Sequence, residues 1–142
     1  MQLQSHYTIS IDWKGKYYCG LELDWNYEDS HVTLSMPTYI VNALQKFQHP
    51  HPRRPQNAQH VYAARDNNSD PLTATDTRLV QSICGTLLYN AQALCCTMLL
   101  ALNKIASKQA FPTQDTMNAC QRLLDYVATT PMPKLDTIRV TW

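Results

Sequence analysis

LELDWNYEDSHVTLSMPTYIVNALQKF, residues 21–47, changes its hydrophobic period halfway along. Leu21, Leu23 and Trp25 alternate with polar residues, the period-two pattern of a strand with one buried face. NYEDSH (26–31) supplies a polar turn, and VTLS (32–35) reads as a short second run of the same kind. At Ser35-Met36-Pro37 the pattern switches. Ser suits a helix cap, and Pro suits the first turn, where its missing N–H costs nothing. Ile40, Ala43, Leu44 and Phe47 then recur at i, i+3, i+4 and i+7, so a helix is expected to about Gln48. Strands before the switch and helices after it define an α+β chain with segregated elements.

Upstream, YTISIDW (7–13) alternates with Tyr7, Ile9, Ile11 and Trp13 on one face. Lys14-Gly15 supplies a turn, and KYYCGLELDW (16–25) is the next strand, completing a three-stranded antiparallel meander over residues 1–35. After the helix at 36–48 comes a segment rich in Pro, His and Arg without apolar period, read as a long extended connection over 49–72. The region 73–130 is helical. Thr73 and Asp76 form a capping-box-like pair, and Leu79, Val80, Ile83 and Leu87 mark the buried stripe of a second helix. Gly85 falls inside it and is expected to permit close packing, since glycine there costs about 1 kcal/mol relative to alanine. Leu94–Ile105 reads as a third helix or a bent continuation. Phe111-Pro112-Thr113 starts a fourth, with Met117, Cys120, Leu124 and Val127 as its stripe and Asp115 near its positive end. TTPMPK (129–134) ends it. The tail, 131–142, contains IRVTW (138–142), a further strand candidate.

The 142 residues suffice for one domain of ordinary size, and an apolar fraction of 44% can fill a core. Twelve Lys and Arg against eleven Asp and Glu leave a formal charge of +1, so no global field argues for an anionic partner. No stretch approaches the roughly 20 apolar residues of a membrane helix, and the N-terminus lacks a signal-peptide pattern. Five cysteines is an odd number, consistent with thiols in a reducing compartment and an intracellular site, cytoplasm or nucleus.

Candidate chemistry is sparse. Cys95 and Cys96 are adjacent, which disfavours a mutual disulfide, and their side chains diverge on a helix, so they read as two small hydrophobes. A thiol enzyme built on them would need a depressed thiol pKa. His49, His51 and His60 have no partner cysteines at zinc-finger spacing. Nine Asp and two Glu are dispersed, with no cluster suited to two-metal chemistry. There is no G-x-S-x-G and no Gly-rich phosphate loop. Trp13, Lys14, Lys16, Tyr17 and Tyr18, with Arg53, Arg54 and Arg65, mix aromatic and basic groups that can stack on bases and follow a sugar–phosphate backbone.

Taken as a whole, residues 6–56 resemble the reverse transcriptase region of Ty1/copia-type LTR-retrotransposon polyproteins. IDWKGKYYCGLELDWNY (11–27) and LSMPTYI (34–40) are the most specific pieces. D-x-x-L-V-Q-S-I-C-G-T-L-L-Y-N-A, from Asp76, resembles a later block of that family, and TMNACQRLLDYVATTP (116–131) resembles the stretch leading to its ribonuclease H domain. The resemblance implies the end of the palm, the thumb and the connection, with the Y-x-D-D-type aspartates upstream of Met1 and the ribonuclease H carboxylates beyond Trp142. Such a chain is expected to bind no cofactor itself, although the full family enzyme uses Mg²⁺, and to be inactive alone. It implies as partners an RNA/DNA primer–template duplex, the remainder of the polymerase and the ribonuclease H domain, with no membrane.

By the same resemblance, Tyr18, Cys19, Gly20 and Leu21 correspond to a primer grip. Gly20 either lets the backbone approach a phosphate or relieves crowding on a twisted strand. The thumb-like helices offer Arg78, Asn90, Gln92 and Lys104 as polar candidates. In this pattern Cys95 and Cys96 stand where a charged residue and a proline usually mark a helix junction. The alternative is a non-catalytic nucleic-acid- or protein-binding module, or a decayed open reading frame, descended from such an element.

Overall fold

A computed structural model describes residues 11–59 and 69–130, together with the backbone of 135–139. Tyr7–Ser10, His60, Arg65 and Val140–Trp142, which figure in the expectations above, lie outside the described residues. The chain is α+β and divides into two units, residues 1–35 with 134–142, and residues 36–133.

In the first unit the described residues form an antiparallel sheet of order β1-β2-β3-β4, with β1 Tyr17–Tyr18, β2 Leu21–Asn26, β3 His31–Ser35 and β4 Leu135–Arg139. The expected meander is present, but its strands are cut differently. KYYCGLELDW is not one strand. Tyr18 pairs with Leu21 and Tyr17 with Glu22, so Cys19-Gly20 is a two-residue hairpin turn. Both turn residues have positive φ, 49° and 82°, as a primed turn requires. Ile11–Trp13 are not strand, and Trp13 is 84% exposed. The Asp12 carboxylate accounts for this by capturing the local backbone donors. It accepts from Lys14 N–H at 3.0 Å and Tyr17 N–H at 2.8 Å, a competing turn in place of a ladder. Trp25 on β2 clamps that turn, its indole N–H donating to Gly15 O at 2.8 Å. Between β2 and β3, the Asn26 side-chain amide donates to the Asp29 carboxylate at 2.9 Å and its Oδ1 accepts from the Asp29 backbone N–H at 3.1 Å, and Ser30 takes φ 52°. β3 pairs with β4, with an irregularity between His31 and Thr33.

The second unit contains α1 Pro37–Lys46, α2 Ala74–Ala93, α3 Leu99–Ala106 and α4 Gln114–Thr129. Pro37 opens α1 as its composition predicts, but the cap position is Met36 and makes no side-chain bond, so Ser35 does not cap it. Thr73 caps α2: its hydroxyl accepts from Asp76 N–H at 3.2 Å and donates to the Asp76 carboxylate at 2.7 Å. Thr113 and Thr116 form a reciprocal capping box on α4. Two backbone bonds hold the starts of α2 and α4 together, Leu72 N–H to Pro112 O and Gln114 N–H to Asp70 O, both 2.9 Å.

One core cluster joins Ile40, Val80, Ile83, Leu87, Leu102, Leu123, Leu124 and Val127 from all four helices, with Met98 from the turn before α3. All four residues of the expected α4 stripe are buried. On α2 the stripe runs Val80, Ile83, Cys84, Leu87, Asn90 and Ala91, which leaves Leu79 at its edge, 39% exposed. The chain breaks after α2. Leu94 and Cys95 leave helical dihedrals, their N–H groups both reaching Asn90 O, and a 3₁₀ turn at Cys96–Met98 leads into α3. The junction therefore bends at Cys95 without a proline. Residues 49–59 carry no helix or strand and are tied to α4, with His49 Nε2 2.8 Å from Asp125 Oδ1 and Gln56 N–H donating to Thr129 Oγ1 at 3.0 Å.

Candidate nucleic-acid interface

Each unit presents one surface of interest. In the first, the β1–β2 hairpin tip carries Tyr18, Cys19 and Gly20, all exposed, with Leu21 half-buried. Tyr17 and Tyr18 are each 67% exposed. Successive strand residues point to opposite faces, so the ribbon shows a phenol ring on each side. Lys14 and Lys16 are exposed nearby, but Asp12, Glu22 and Asp24 lie on the same unit. The hairpin offers stacking faces without a net positive field. Bonding from the Tyr17 N–H, with further backbone donors, holds the Asp12 carboxyl below its usual range, so it stays anionic there. Trp25 and Tyr27 stack on each other, with centroids 6.1 Å apart.

In the second unit the solvent face of α2 carries Arg78, Gln81, Gly85, Tyr89 and Gln92, all exposed. Gln81, Gly85 and Tyr89 follow at i, i+4 and i+8 and so stack along one side of the helix. An ideal Cβ placed on Gly85 would meet nothing within 4 Å. Among the described residues, therefore, nothing makes the close backbone packing expected of Gly85. Tyr89 leans on Tyr39 of α1, ring centroids 5.6 Å apart at 57°. Tyr39 in turn donates its hydroxyl to Thr86 O at 2.7 Å, which fixes the flank of the stripe.

The sequence-derived candidates separate accordingly. Arg78 and Gln92 lie on the exposed α2 face, and Lys104 is exposed on α3. Asn90 is not a surface residue. It is 1% exposed, its amide N–H donates to Met36 Sδ at 3.7 Å, and its Oδ1 has no hydrogen-bond partner among the described residues. Gln81 and Tyr89 are not among the sequence-derived candidates, and Gly85 figures there only as a packing position. The signal was available, since they lie opposite the Val80–Ile83–Leu87 stripe on a helical projection.

Cys95 is 7% exposed beside Thr97 Oγ1 at 3.3 Å, whereas Cys96 faces out, so the adjacent thiols do diverge. Among the described residues there is no group of three or more His, Cys, Asp or Glu placed to hold a metal ion, and no helix is long and apolar enough to cross a membrane. No protein-family model, curated protein or solved structure matches the chain.

Proposed function

We propose that this chain is part of a Ty1/copia-type RNA-directed DNA polymerase and that it holds the primer–template duplex, with α2 as the element laid against the nucleic acid. The observation that carries the reading is Gly85. A glycine at an exposed position inside a helix costs about 1 kcal/mol relative to alanine. No described residue outside its own helical turns comes within 4 Å of its open side, which leaves room there for a partner. A nucleic-acid groove is such a partner. Without a Cβ, the helix backbone can approach the floor of a wide, shallow minor groove, the form an RNA-containing duplex presents.

The flanking groups suit that role. Gln92, and Gln81 beyond the one bond its Nε2 donates to Gln109 O at 3.4 Å, bring amide donors and acceptors for 2′-hydroxyls and for the acceptor-rich base edges of the minor groove. Arg78 supplies one phosphate contact, and Tyr89 an aromatic edge for a sugar. None of these reads sequence strongly, as a polymerase that must travel along any template requires. The hairpin at Tyr18–Leu21 fits a second contact at the primer end, where Gly20 keeps the turn tip slim.

Nucleotide transfer is assigned to Mg²⁺-binding carboxylates outside this chain, in the remainder of an intracellular polymerase with its ribonuclease H domain. Alone, the chain grips and does not polymerise.

Fluorescence anisotropy with a labelled RNA–DNA hybrid tests the reading. Binding that weakens as salt rises, because counterions are released at each phosphate contact, and that is lost on Gln81→Ala/Gln92→Ala substitution is expected. No affinity at low salt, or affinity unchanged in that variant, overturns it. Incorporation of nucleotides by this chain alone would contradict the division of labour.

A further inference from the structure

The formal charge of +1 on the whole chain hides an uneven split between its two units. Residues 36–133 hold eight Lys and Arg against five Asp, whereas the other unit holds four against six Asp and Glu. The cationic excess therefore sits on the helical unit, and two of its lysines flank the exposed face of α2.

At about 100° per residue, Thr86 and Gln81 stand on opposite sides of Gly85 around the α2 axis. On the Thr86 side runs α1. Lys46 Nζ donates to Thr86 Oγ1 at 3.2 Å and lies 5.1 Å from the centre of the Phe47 ring. On the Gln81 side runs the connection from α3 to α4. Gln81 Nε2 donates to Gln109 O at 3.4 Å, and the residue before Gln109 is Lys108, which is exposed. Among the described residues neither lysine is in an ion pair. Of the carboxylates in this unit, Asp76 is taken up by the Thr73 cap and Asp125 by His49. Lys46 is held by uncharged groups alone, a hydroxyl and a ring face, so its charge is not neutralised and it has donors to spare.

We propose that Lys46 and Lys108 are phosphate-binding residues on either side of the α2 stripe, one for each backbone of a double-stranded nucleic acid, so that the site takes a duplex rather than a single strand. This rests on the reading of α2 as the element laid against nucleic acid and deepens it.

A groove is bounded by two sugar–phosphate backbones. A helix that brings its Gly85 side to the groove floor meets one backbone on each flank. The cations are then needed at the flanks and not over the floor, which is where Lys46 and Lys108 stand. An ammonium binds phosphate as a point charge, whatever the sequence. A single strand has one backbone and engages one flank only. Both lysines also lie at helix C-termini, Lys46 in the last turn of α1 and Lys108 just beyond α3, where the carbonyl ends favour a cation. The two roles separate experimentally: the contribution to the helix end is read by melting, the phosphate contact by the salt dependence of binding.

The test is fluorescence anisotropy of the full chain with a labelled RNA–DNA hybrid, and with each of its strands alone, over a potassium chloride series. Each phosphate contact releases about 0.9 counterion on a duplex and about 0.7 on a single strand. On the hybrid, Lys46→Gln and Lys108→Gln should each make the log–log salt slope shallower by about one, and the double variant by about two. On either strand alone the double variant should lose no more than about one. Lys46→Arg and Lys108→Arg should keep the wild-type slope, and circular dichroism melting should show every variant folded. Hybrid binding with an unchanged slope in both glutamine variants overturns this proposal and leaves the α2 reading standing. Slope lost at one lysine only, or lost by the double variant as much on a single strand as on the hybrid, overturns the assignment of one lysine to each backbone. A wild-type chain that binds no hybrid at low salt removes the proposal together with the reading it rests on.

Discussion

Replacing Gly85 by alanine is expected to move folding and binding in opposite directions. The residue sits within α2, is exposed, and has no described atom outside its own helical turns within 4 Å of where a Cβ would stand. The added methyl therefore meets no clash, and the helix gains the alanine–glycine propensity difference of about 1 kcal/mol. For a unit of this size that raises the thermal midpoint by roughly 4–8 °C. Against a duplex the same methyl stands between the helix and the groove floor. Holding the helix off the groove at a cost of about 1–3 kcal/mol weakens affinity by roughly 5- to 150-fold. Circular dichroism melting reads the first effect, and anisotropy with an RNA–DNA hybrid reads the second. A destabilised variant would mean that Gly85 is needed inside the fold. A stabilised variant with full affinity would mean that the open side of Gly85 faces nothing but water. Either result refutes the reasoning.

Other consequences are local. Thr73→Ala removes the α2 cap bond to Asp76 N–H and is expected to destabilise the helical unit by about 1 kcal/mol, read by denaturant unfolding. Leu87→Ala leaves a void at a fully buried position and is expected to cost about 2–5 kcal/mol in the same assay. The Asp12 carboxyl, held chiefly by the Tyr17 N–H, should titrate below the usual 3.8 when followed by NMR. Because its folded pKa is depressed, its stabilisation of the turn is complete above the unfolded value and is lost as pH falls through the folded one. An Asp12 pKa at or above 3.8 would contradict that bonding. Gly20→Val forces a β-branched residue to φ 82° and should disorder the hairpin, seen as loss of the Tyr17–Glu22 and Tyr18–Leu21 cross-strand contacts by NMR.

Much of the helical unit was legible because helical periodicity and caps are local. Thr73 with Asp76, and the stripe Met117–Cys120–Leu124–Val127, follow from spacing alone. The Cys19-Gly20 hairpin was hidden because a two-residue turn keeps polar and apolar alternation running through it. Only the positive φ at both residues distinguishes a hairpin from one strand. Trp13 was misread because Asp12 bonds to the backbone after it, a side-chain choice that alternation does not encode. Asn90 falls on the buried projection with Ile83 and Leu87, but its polar side chain drew it into the surface set. The openness above Gly85 depends on how α2 is rotated against its neighbours. That rotation is fixed by the whole core rather than by any short segment.

The most direct test of the central claim is a residue-resolved NMR titration of the chain with an RNA–DNA hybrid duplex at low salt. The account predicts shift changes concentrated at Arg78, Gln81, Gly85, Tyr89 and Gln92, fading as salt is raised, with the buried amides of α4 unmoved. Absence of binding, or shifts confined to other faces with the α2 stripe silent, would contradict it.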